Sequence, residues 1–574
     1  MNVIKKLQKL FKSYNVDGYI VPKNDEFFGE YVDRKNDRLN FISSFTGSAG
    51  YALILKKKAY LFVDGRYTLQ AKKESKKSFI VKEIHKIRPS RILEKIGKKL
   101  KIGFDPKLFS KYGLTNNFQT KNISLIPIEK NLIDKIWLNK SKLKINKFFI
   151  LNSKHVGRGY KIKINSVCRI LKKKKINKLL VTAPENLAWL LNIRGKDNKY
   201  SPVPNCNGII DKSKKITLIV NKNKINKKFS YHFKNLLNYV DPSNIKKYFS
   251  KLSHDEVFLI DKFTCSFFYK KEIEKRFKYK EEIDPIYFLK AKKNKTEINN
   301  SIKSHINDGV ALTKFIYWIK NNINIRKITE ISAEKKLEKF RKQNSNYKFP
   351  SFNTISGSGP NGAIIHYRAN NKTNRLIKEK DIYLCDSGGQ YHYGTTDVTR
   401  TMCFSNQSQR IKNIFTKVLK GHIGVAIYNL NKNTTGKQLD VIARAPLNKI
   451  GLDYAHGTGH GVGYFLNVHE GPQAISKFNN IKLEEGMILS NEPGYYETNK
   501  FGIRIENLLY TKKIKNKLKF ENLTLAPIEK DLINFNLLEE KEKIYLNEYH
   551  KKTYLILSPY LKKNERSWLR SFFN

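Results

Sequence analysis

The sequence predicts a multidomain α/β protein, and three observations lead to that prediction. The chain has 574 residues, whereas one domain usually holds about 100–200, so several domains are expected. Hydrophobic residues make up 40% of the chain and aromatic residues 12%, which supports packed cores and is unlike a disordered protein. Apolar, strand-like runs alternate with segments of helical periodicity, and this alternation is typical of α/β domains.

The first block comprises residues 1–150 and opens with an amphipathic helix. Its apolar residues recur at helical spacing, at Ile4, Leu7, Leu10 and Phe11. Strands are then predicted at residues 18–21 and within 44–55, and a third runs from Ala59 to a turn at Asp64, where a helix begins. The glycines of this block lack the spacing of a phosphate-binding loop, so we interpret them as turns.

The second block comprises residues 151–290 and repeats this order. A strand is predicted at Lys178–Thr182, and a helix is predicted to begin at Pro184. The polar, lysine-rich stretch at residues 138–163 is the predicted linker. The similar order of elements suggests that the two blocks are diverged copies of one fold.

The third block comprises residues 291–510, and an extension of residues 511–574 follows it. Its first element is predicted to be a long amphipathic helix over residues 297–319. The apolar residues that predict this helix recur every four positions, at Ile298, Ile302, Ile306 and Val310.

The formal net charge of +61 raises the question of a polyanionic partner. The lysines are spread along the whole chain, and no nucleic-acid-binding motif accompanies them. We therefore attribute the charge to composition and predict no specific nucleic-acid partner, although weak, salt-sensitive association with polyanions is expected.

Several features predict a cytoplasmic location. Lysines interrupt the apolar positions of the first helix, unlike those of a signal peptide. No run of 18 apolar residues occurs, so no membrane span is predicted. The five cysteines include no CxxC pair, and an odd number in a long chain fits free thiols in a reducing compartment.

Residues suited to metal chemistry concentrate in the third block. Six of the twelve histidines lie between residues 366 and 469, where random scatter would place about two. Acidic residues in the same region adjoin apolar, strand-like runs and glycine turns, which would hold their side chains rigidly. The candidate ligands are Asp386, Asp397, His460, Glu492 and Glu506.

Four carboxylates and one imidazole form an oxygen-rich donor set that suits divalent manganese, cobalt, zinc or iron. Four carboxylates carry about four negative charges, which two divalent ions, about 3.5–4 Å apart, would balance. Any one of these acids taken alone is more often a solvated or turn residue. Their grouping within 121 residues favours a two-metal hydrolytic centre.

The segments around these residues resemble those of aminopeptidase P (Xaa-Pro aminopeptidase), in the creatinase and methionine aminopeptidase "pita-bread" superfamily. The resemblance covers nearly the whole chain, in the long three-domain form of the family. It implies an α/β (α+β) architecture in which two creatinase-N-terminal-like α/β domains precede a pita-bread catalytic domain. Cys385 and Tyr393 depart from the family pattern beside the site. The segments that carry the resemblance are FISSFTGSAG, VDGRYTLQA, PENLAWLLNIRG, KNKTEINNSIKSHINDGVAL, LCDSGGQYHYGTTDVTRT, HGTGHGVGYFLNVHEGP, ILSNEPGYYE, FGIRIEN and LTLAPIEKDLI.

The resemblance also implies a role for each ligand. Asp386 would chelate one metal, His460 and Glu492 would bind the other, and Asp397 and Glu506 would bridge both. A hydroxide that bridges the two metals would attack the peptide carbonyl, and Glu492 would shuttle the proton.

Four further residues are assigned to the site on the same basis. His366, His456 and His469 would line the pocket as donors to the substrate and the intermediate. Arg504 would orient a carboxylate ligand or the substrate, or serve a structural role.

The same resemblance implies the cofactors and partners. Two divalent ions per subunit are expected, with manganese as the first choice and zinc or cobalt as alternatives. The expected substrates are short peptides with proline at the second position, and the expected assembly is a homodimer.

Rival functions stay open at this point. A prolidase-type dipeptidase or a methionine aminopeptidase would share the fold, but the two N-terminal blocks argue against both. A metal-free creatinase-like hydrolase, or a non-catalytic protein that binds peptides or histones, would not need all five ligand residues. His392 and His422 receive no role, and Trp189 and Arg194 are interpreted as core residues.

Overall fold

The computed structural model describes residues 3–141 and 144–573, so Lys142 and Leu143 of the predicted linker lie outside the described residues. The chain divides into two compact units. The first comprises Met1–Ser153 with Arg158–Tyr287, and the second comprises Lys154–Gly157 with Phe288–Asn574.

The first half of unit 1 is a six-stranded mixed sheet with helices. Its strands are β1 (Gly18–Pro22), β2 (Tyr51–Leu55), β3 (Ala59–Val63), β4 (Phe79–Glu83), β5 (Leu100–Phe104) and β6 (Ile123–Pro127). Its helices are α1 (Val3–Ser13), α2 (Arg38–Ser43), α3 (Thr68–Glu74), α4 (Pro89–Lys95), α5 (Lys111–Phe118) and α6 (Leu132–Ile136). The strand order is β4-β3-β2-β1-β5-β6. Every residue of β1 and β3 is buried, as expected for strands that are covered on both faces.

The second half of unit 1 contains another six-stranded sheet. Its strands, with the short pair β7 and β9, are β7 (Phe149–Ile150), β8 (Lys178–Val181), β9 (Ile193–Arg194), β10 (Asn207–Asp211), β11 (Ile216–Ile219), β12 (Leu237–Val240), β13 (Val257–Asp261) and β14 (Lys278–Glu282). The helices from this part of the chain are α7 (Ser153–Val156), α8 (Tyr160–Lys173), α9 (Pro184–Leu191), α10 (Lys227–His232), α11 (Ile245–Phe249), α12 (Phe267–Glu274) and α13 (Pro285–Ala291). The predicted linker is therefore not structureless, because it contains β7, α7 and the first residues of α8.

The two sheets share one topology. The second has the order β12-β11-β10-β8-β13-β14, which matches the first strand for strand. The central strands β1 and β8 each pair with one antiparallel and one parallel neighbour, at equivalent positions. This correspondence supports the interpretation of the two blocks as copies of one fold.

Beyond α13, the described residues of unit 2 combine helices with small antiparallel sheets. The helices are α14 (Lys295–Asn322), α15 (Glu330–Arg341), α16 (Gln409–Ala426), α17 (Gly436–Asn448), α18 (Glu540–Leu557) and α19 (Lys563–Arg570). The strands are β15 (Tyr347–Pro350), β16 (Ile355–Ser358), β17 (Tyr383–Ser387), β18 (Gly389–Tyr391), β19 (Gly394–Thr395), β20 (Val398–Met402), β21 (Gly459–Gly461), β22 (Glu470–Ile475), β23 (Ile488–Asn491), β24 (Gly494–Glu497), β25 (Phe501–Arg504), β26 (Asn507–Ile514) and β27 (Lys517–Asn522). The sheets relevant to the site have the orders β16-β17-β20 and β22-β21-β23-β26-β27.

The long helix α14 begins with a capping box, in which Asn294 and Glu297 bond reciprocally. The predicted apolar stripe is only half-buried, and the deepest face of the first turns is polar. Asp308 on that face binds the guanidinium of Arg341, with Nε 2.7 Å from Oδ1. The predicted amphipathic helix is present, because its apolar stripe packs against hydrophobic clusters while its polar face packs against a charged network.

The state of the cysteines and the character of the helices were both subjects of prediction. All five cysteines are buried as free thiols. None of the described helices combines the length and the apolar character that spanning a bilayer requires.

Candidate metal centre

The five candidate ligands come from neighbouring strand ends in unit 2. Asp386 lies on β17, and Asp397 directly precedes β20, which is antiparallel to β17. His460 lies on β21, which pairs with β23. Glu492 follows β23 and Glu506 precedes β26, and these two strands are paired. Strand pairing therefore brings together residues that are far apart in the sequence.

The donor atoms of these side chains converge. Nε2 of His460 is 3.4 Å from Oδ2 of Asp397 and 3.5 Å from Oε1 of Glu492. Ligand atoms of Asp386, Asp397 and Glu506 all lie within 4.8 Å of one another, and so do those of His460, Glu492 and Glu506. Glu506 belongs to both triplets, so the arrangement offers two adjacent cation positions that share this carboxylate.

Two buried carboxylate oxygens identify where a cation would fit. Oδ1 of Asp386 and Oε1 of Glu506 have no hydrogen-bond partner among the described residues. A buried charged oxygen without a partner is costly, and coordination to a divalent ion removes that cost. The donor set and these two oxygens therefore fit a pair of divalent metal ions.

The pKa shifts of the clustered carboxyl groups also support a site for divalent metal ions. Burial, and then the charge of Glu506, raise the pKa of Asp397 well above its ordinary value. Burial, and then the charge of Glu492, do the same to the pKa of Glu506. Burial raises the pKa of Glu492 to about 7, although the charge of Arg504 acts in the opposite direction. The fold thus forces carboxylates together at a free-energy cost that cations would offset.

Arg504 links the cluster to His456. Its Nη2 donates to Oδ2 of Asp386 at 2.6 Å, and its Nη1 donates to the hydroxyl of Tyr496 at 2.6 Å. That hydroxyl is 2.9 Å from Nε2 of His456. Arg504 therefore orients a predicted ligand, and Tyr496, which the sequence analysis did not single out, connects it to a predicted pocket histidine.

The two other predicted histidines are placed differently. The ring of His469 lies 4.2 Å from that of His460, and its donor atom is within 4.8 Å of Asp397 and His460. His366 is half-buried on the loop after the short turn Gly359–Ala363. That turn packs against β25 so closely that a Cβ at Gly502 would lie 1.8 Å from a backbone oxygen of Gly362. The role of His366 in the site stays a prediction.

Hydroxyl side chains that the sequence analysis missed hold two of the ligands. Thr399 donates to Oε2 of Glu506 at 2.8 Å. Ser490 donates to Oε1 of Glu492 at 3.2 Å and accepts from the backbone N–H of His460 at 3.0 Å. Each lies on a strand, two residues from a predicted ligand that adjoins the end of that strand, and this spacing is the signal that would have identified them.

Family models match the chain along most of its length. Residues 302–513 match metallopeptidase family M24, and residues 516–571 match the C-terminal region of that family. Residues 4–136 and 139–297 each match the creatinase/prolidase N-terminal domain.

Full-length relatives decide the family. A probable Xaa-Pro aminopeptidase P of Laccaria bicolor is 38% identical, over 99% of this chain and 92% of its own length. The chain belongs to the Xaa-Pro aminopeptidase P family. Another relative, Xaa-Pro aminopeptidase 1 of Dictyostelium discoideum, is 35% identical over 99% of this chain and 95% of its own length. The chain is accordingly a metallohydrolase of the aminopeptidase P type.

Solved structures distinguish the three-domain architecture of this family from the shorter prolidase architecture. An X-prolyl aminopeptidase of Caenorhabditis elegans, described as a cytosolic enzyme with a di-nuclear active site, aligns with 100% of this chain and 99% of its own, with a TM-score of 0.94 and 29% identity. A prolidase of Thermococcus sibiricus aligns with only 65% of this chain, with a TM-score of 0.52 and 26% identity. The predicted three-domain, pita-bread architecture is confirmed, and the shorter prolidase architecture does not account for the chain.

A buried glutamate outside the predicted set fixes the loop that carries His366. Oε1 of Glu330 accepts from the backbone N–H of Ser358 at 2.8 Å, and Oε2 accepts from the hydroxyl of Tyr367 at 2.8 Å and the N–H of Arg375 at 2.9 Å. Asn361 also donates to this carboxylate. One side chain thus ties together the start, middle and end of the loop.

We expect Glu330→Ala to destabilise the protein by about 3 kcal/mol, because several buried donors would lose their shared acceptor. Urea denaturation of the metal-loaded protein measures the change. The control is Glu338→Ala on the same helix, where the half-buried acid pairs only with Lys342 among the salt bridges of the described residues. A loss of about 0.5 kcal/mol or less is expected there. Equal losses in the two variants would contradict this role for Glu330.

Proposed function

We propose that the chain binds two divalent cations between Asp386, Asp397, His460, Glu492 and Glu506 and releases the N-terminal residue from peptides with proline at the second position. The observation that carries this proposal is the convergence of two ligand triplets on the shared carboxylate of Glu506. The aminopeptidase P relatives along the whole chain supply the substrate class.

The composition of the two triplets supports the ligand roles that the family resemblance implies. Asp386 would hold one cation, His460 and Glu492 would hold the other, and Asp397 and Glu506 would serve both. Glu506 is common to both triplets, and Asp397 lies against both Asp386 and His460. The bound cations supply the Lewis acidity that makes water a nucleophile at neutral pH.

The side chains of the protein orient the reactants and move the proton. Glu492 accepts the proton of the attacking water and delivers it to the leaving nitrogen, because its carboxylate belongs to the proposed ligand set and is oriented by Ser490. Arg504 holds Asp386 in one orientation. His366, His456 and His469 donate to the substrate carbonyl and to the tetrahedral oxyanion.

Proline at the second position distinguishes the substrate, because the amide bond before proline differs chemically from other peptide bonds. The amide before proline is tertiary and has no N–H, so a peptidase that must bind that N–H cannot process it. A centre that acts on the carbonyl and on the free N-terminal amine does not need this group. Such a centre can cleave the amide bond between the N-terminal residue and the proline, and this is the proposed scissile bond.

We expect the metal-loaded protein to hydrolyse a short Xaa-Pro-Xaa peptide and to lose this activity when a chelator removes the metal. Chromatography of the released N-terminal residue measures the rate. Restoring manganese, zinc or cobalt separately ranks the metals, and manganese is proposed as the native one. A dipeptide Xaa-Pro serves as the control substrate.

Each result of that assay has a defined meaning. Faster hydrolysis of the dipeptide than of the tripeptide would assign the chain to a prolidase activity instead. Metal binding without hydrolysis of either peptide would favour a peptide-binding protein. Hydrolysis that is insensitive to chelation would reject the metal centre.

Two broader properties belong to the same proposal. The chain acts in the cytoplasm, as the Caenorhabditis elegans enzyme is described to do. It assembles as a homodimer, and each subunit processes short peptides. Light scattering at several protein concentrations measures the oligomeric state.

A further inference from the structure

A buried arginine lies directly behind the proposed metal centre. Arg400 is on β20, three residues after Asp397, and its side chain is among the largest fully buried ones in the described part of the chain. Its neighbour Thr399 donates to Oε2 of Glu506, and the carbonyl of Thr399 accepts from the N–H of Glu506 at 3.2 Å. Arg400 thus lies where two proposed ligands are joined through the backbone.

The guanidinium of Arg400 connects three separate segments. Nη1 donates to the carbonyl of Thr399 on its own strand and, at 2.6 Å, to the carbonyl of Glu506. Nη2 donates to Oδ1 of Asn507 at 2.8 Å. The remaining acceptors all belong to the C-terminal extension, within the part that matches the C-terminal region of the family. They are the carbonyl of Pro527 at 3.0 Å, the carbonyl of Ala526 at 2.9 Å and the hydroxyl of Tyr549 at 2.9 Å.

All six of these acceptors are neutral oxygens. Burying a guanidinium without a bonded carboxylate costs free energy, so favourable interactions of its charge with nearby groups must offset that cost. Burial lowers the pKa of Arg400, whereas Tyr549 and the charge of the proposed ligand Glu506 act in the opposite direction. The positive charge therefore favours the carboxylate cluster, while the hydrogen bonds hold the cluster's backbone to the extension.

We propose that Arg400 is a positioning residue through which the C-terminal extension holds Asp397 and Glu506 in register, so that the extension sets the affinity of the centre for its cations. This inference rests on the proposed function, because it requires that these two carboxylates bind metal. The extension then acts on the catalytic centre directly, although it contributes no ligand. Groups that orient metal ligands commonly change metal affinity by about 10–100-fold when removed.

The test compares three substitutions in the full chain. Arg400→Met removes the guanidinium while keeping an unbranched side chain. Tyr549→Phe removes one acceptor of Arg400 from the extension. Tyr545→Phe is the matched control, since Tyr545 lies one turn earlier on α18 and its hydroxyl instead accepts from Asn522 at 2.9 Å.

Binding of Mn²⁺ to the chelated proteins is measured by calorimetry, and Co²⁺ binding by its visible spectrum, which reports ligand geometry. We expect Arg400→Met to weaken cation binding by about 10–100-fold. Tyr549→Phe should weaken it by about 3–10-fold, as the loss of one hydrogen bond implies. Tyr545→Phe should stay within about twofold of the wild type. The Co²⁺ spectrum should change in the first two variants alone.

The outcomes separate this inference from the proposed function. Wild-type affinity and spectrum in Tyr549→Phe and Arg400→Met, with a lowered melting temperature only, would overturn the positioning role and leave the metal centre intact. If Arg400→Met does not fold, Tyr549→Phe decides between the two results. A wild-type chain that binds neither Mn²⁺ nor Co²⁺ would reject the proposed centre, and this inference with it.

Discussion

Asp397→Ala is expected to abolish peptide hydrolysis. The carboxylate of Asp397 is within 3.4 Å of His460 and belongs to the triplet with Asp386 and Glu506, so its loss would remove the group that faces both cation positions. Stabilisation by a bound cation is worth several kcal/mol, which corresponds to about a 1000-fold or larger loss of kcat/KM. Hydrolysis of an Xaa-Pro-Xaa peptide at saturating Mn²⁺, together with elemental analysis of bound metal, measures the effect.

The control for this prediction is Asp531→Ala, an aspartate of the same unit whose side chain is 58% exposed and whose ion pair with Lys320 is long, at 3.4 Å. We expect its activity to match that of the wild type. If Asp397→Ala retained wild-type kcat/KM and two bound metal ions, the ligand assignment would be wrong. A folded but metal-depleted variant is the expected result.

Removing the metal is expected to make the stability of the protein fall as the pH rises. The folded-state pKa values of Asp397, Glu506 and Glu492 lie above their ordinary values, for the burial and charge reasons given above. For Glu492 the ordinary value is 4.5 and the folded value is about 7. Its contribution to stability is therefore fully present below pH 4.5 and is lost as the pH rises through about 7. This difference corresponds to about 3 kcal/mol for one carboxyl group.

Denaturation in the presence of a chelator, at about pH 5 and about pH 8, measures this dependence. Added Mn²⁺ should stabilise the chain more at the higher pH, because the cations bind the deprotonated carboxylates. Glu492→Gln is the matched control, since it keeps the shape of the side chain but cannot titrate. Buried histidines such as His422 contribute equally to both proteins. Identical pH dependence in the metal-free wild type and the metal-free variant would contradict the prediction.

The candidate ligand positions were accessible to sequence analysis because their signals are local. Asp386 and Glu492 lie in or directly after strands that begin with apolar residues, and Asp397 directly precedes a strand, so each carboxylate is held at a fixed point. Strands β1, β2, β3 and β8 of unit 1 were predictable for the same reason, since buried strands are continuous apolar runs. The repetition of sheet topology in unit 1 was suggested by the order of elements alone.

The partners of the polar face of α14 could not be predicted from the sequence, for a physical reason. Its isoleucines recur every four residues, which identifies a helix but not what packs against it. Asp308 is buried because Arg341 and Tyr391 supply its hydrogen bonds, and both belong to other elements. Local periodicity contains no information about such partners.

The sequence by itself determined the family, the candidate ligand residues and the alternation of strands and helices, because short-range pattern and motif encode each of them. Only the tertiary structure decided which groups support those ligands. Arg400 meets Tyr549 across 149 residues, and Glu330 meets Arg375 across 45. A buried charge becomes acceptable only when acceptors or donors from distant segments surround it, and that arrangement exists only once the chain has folded.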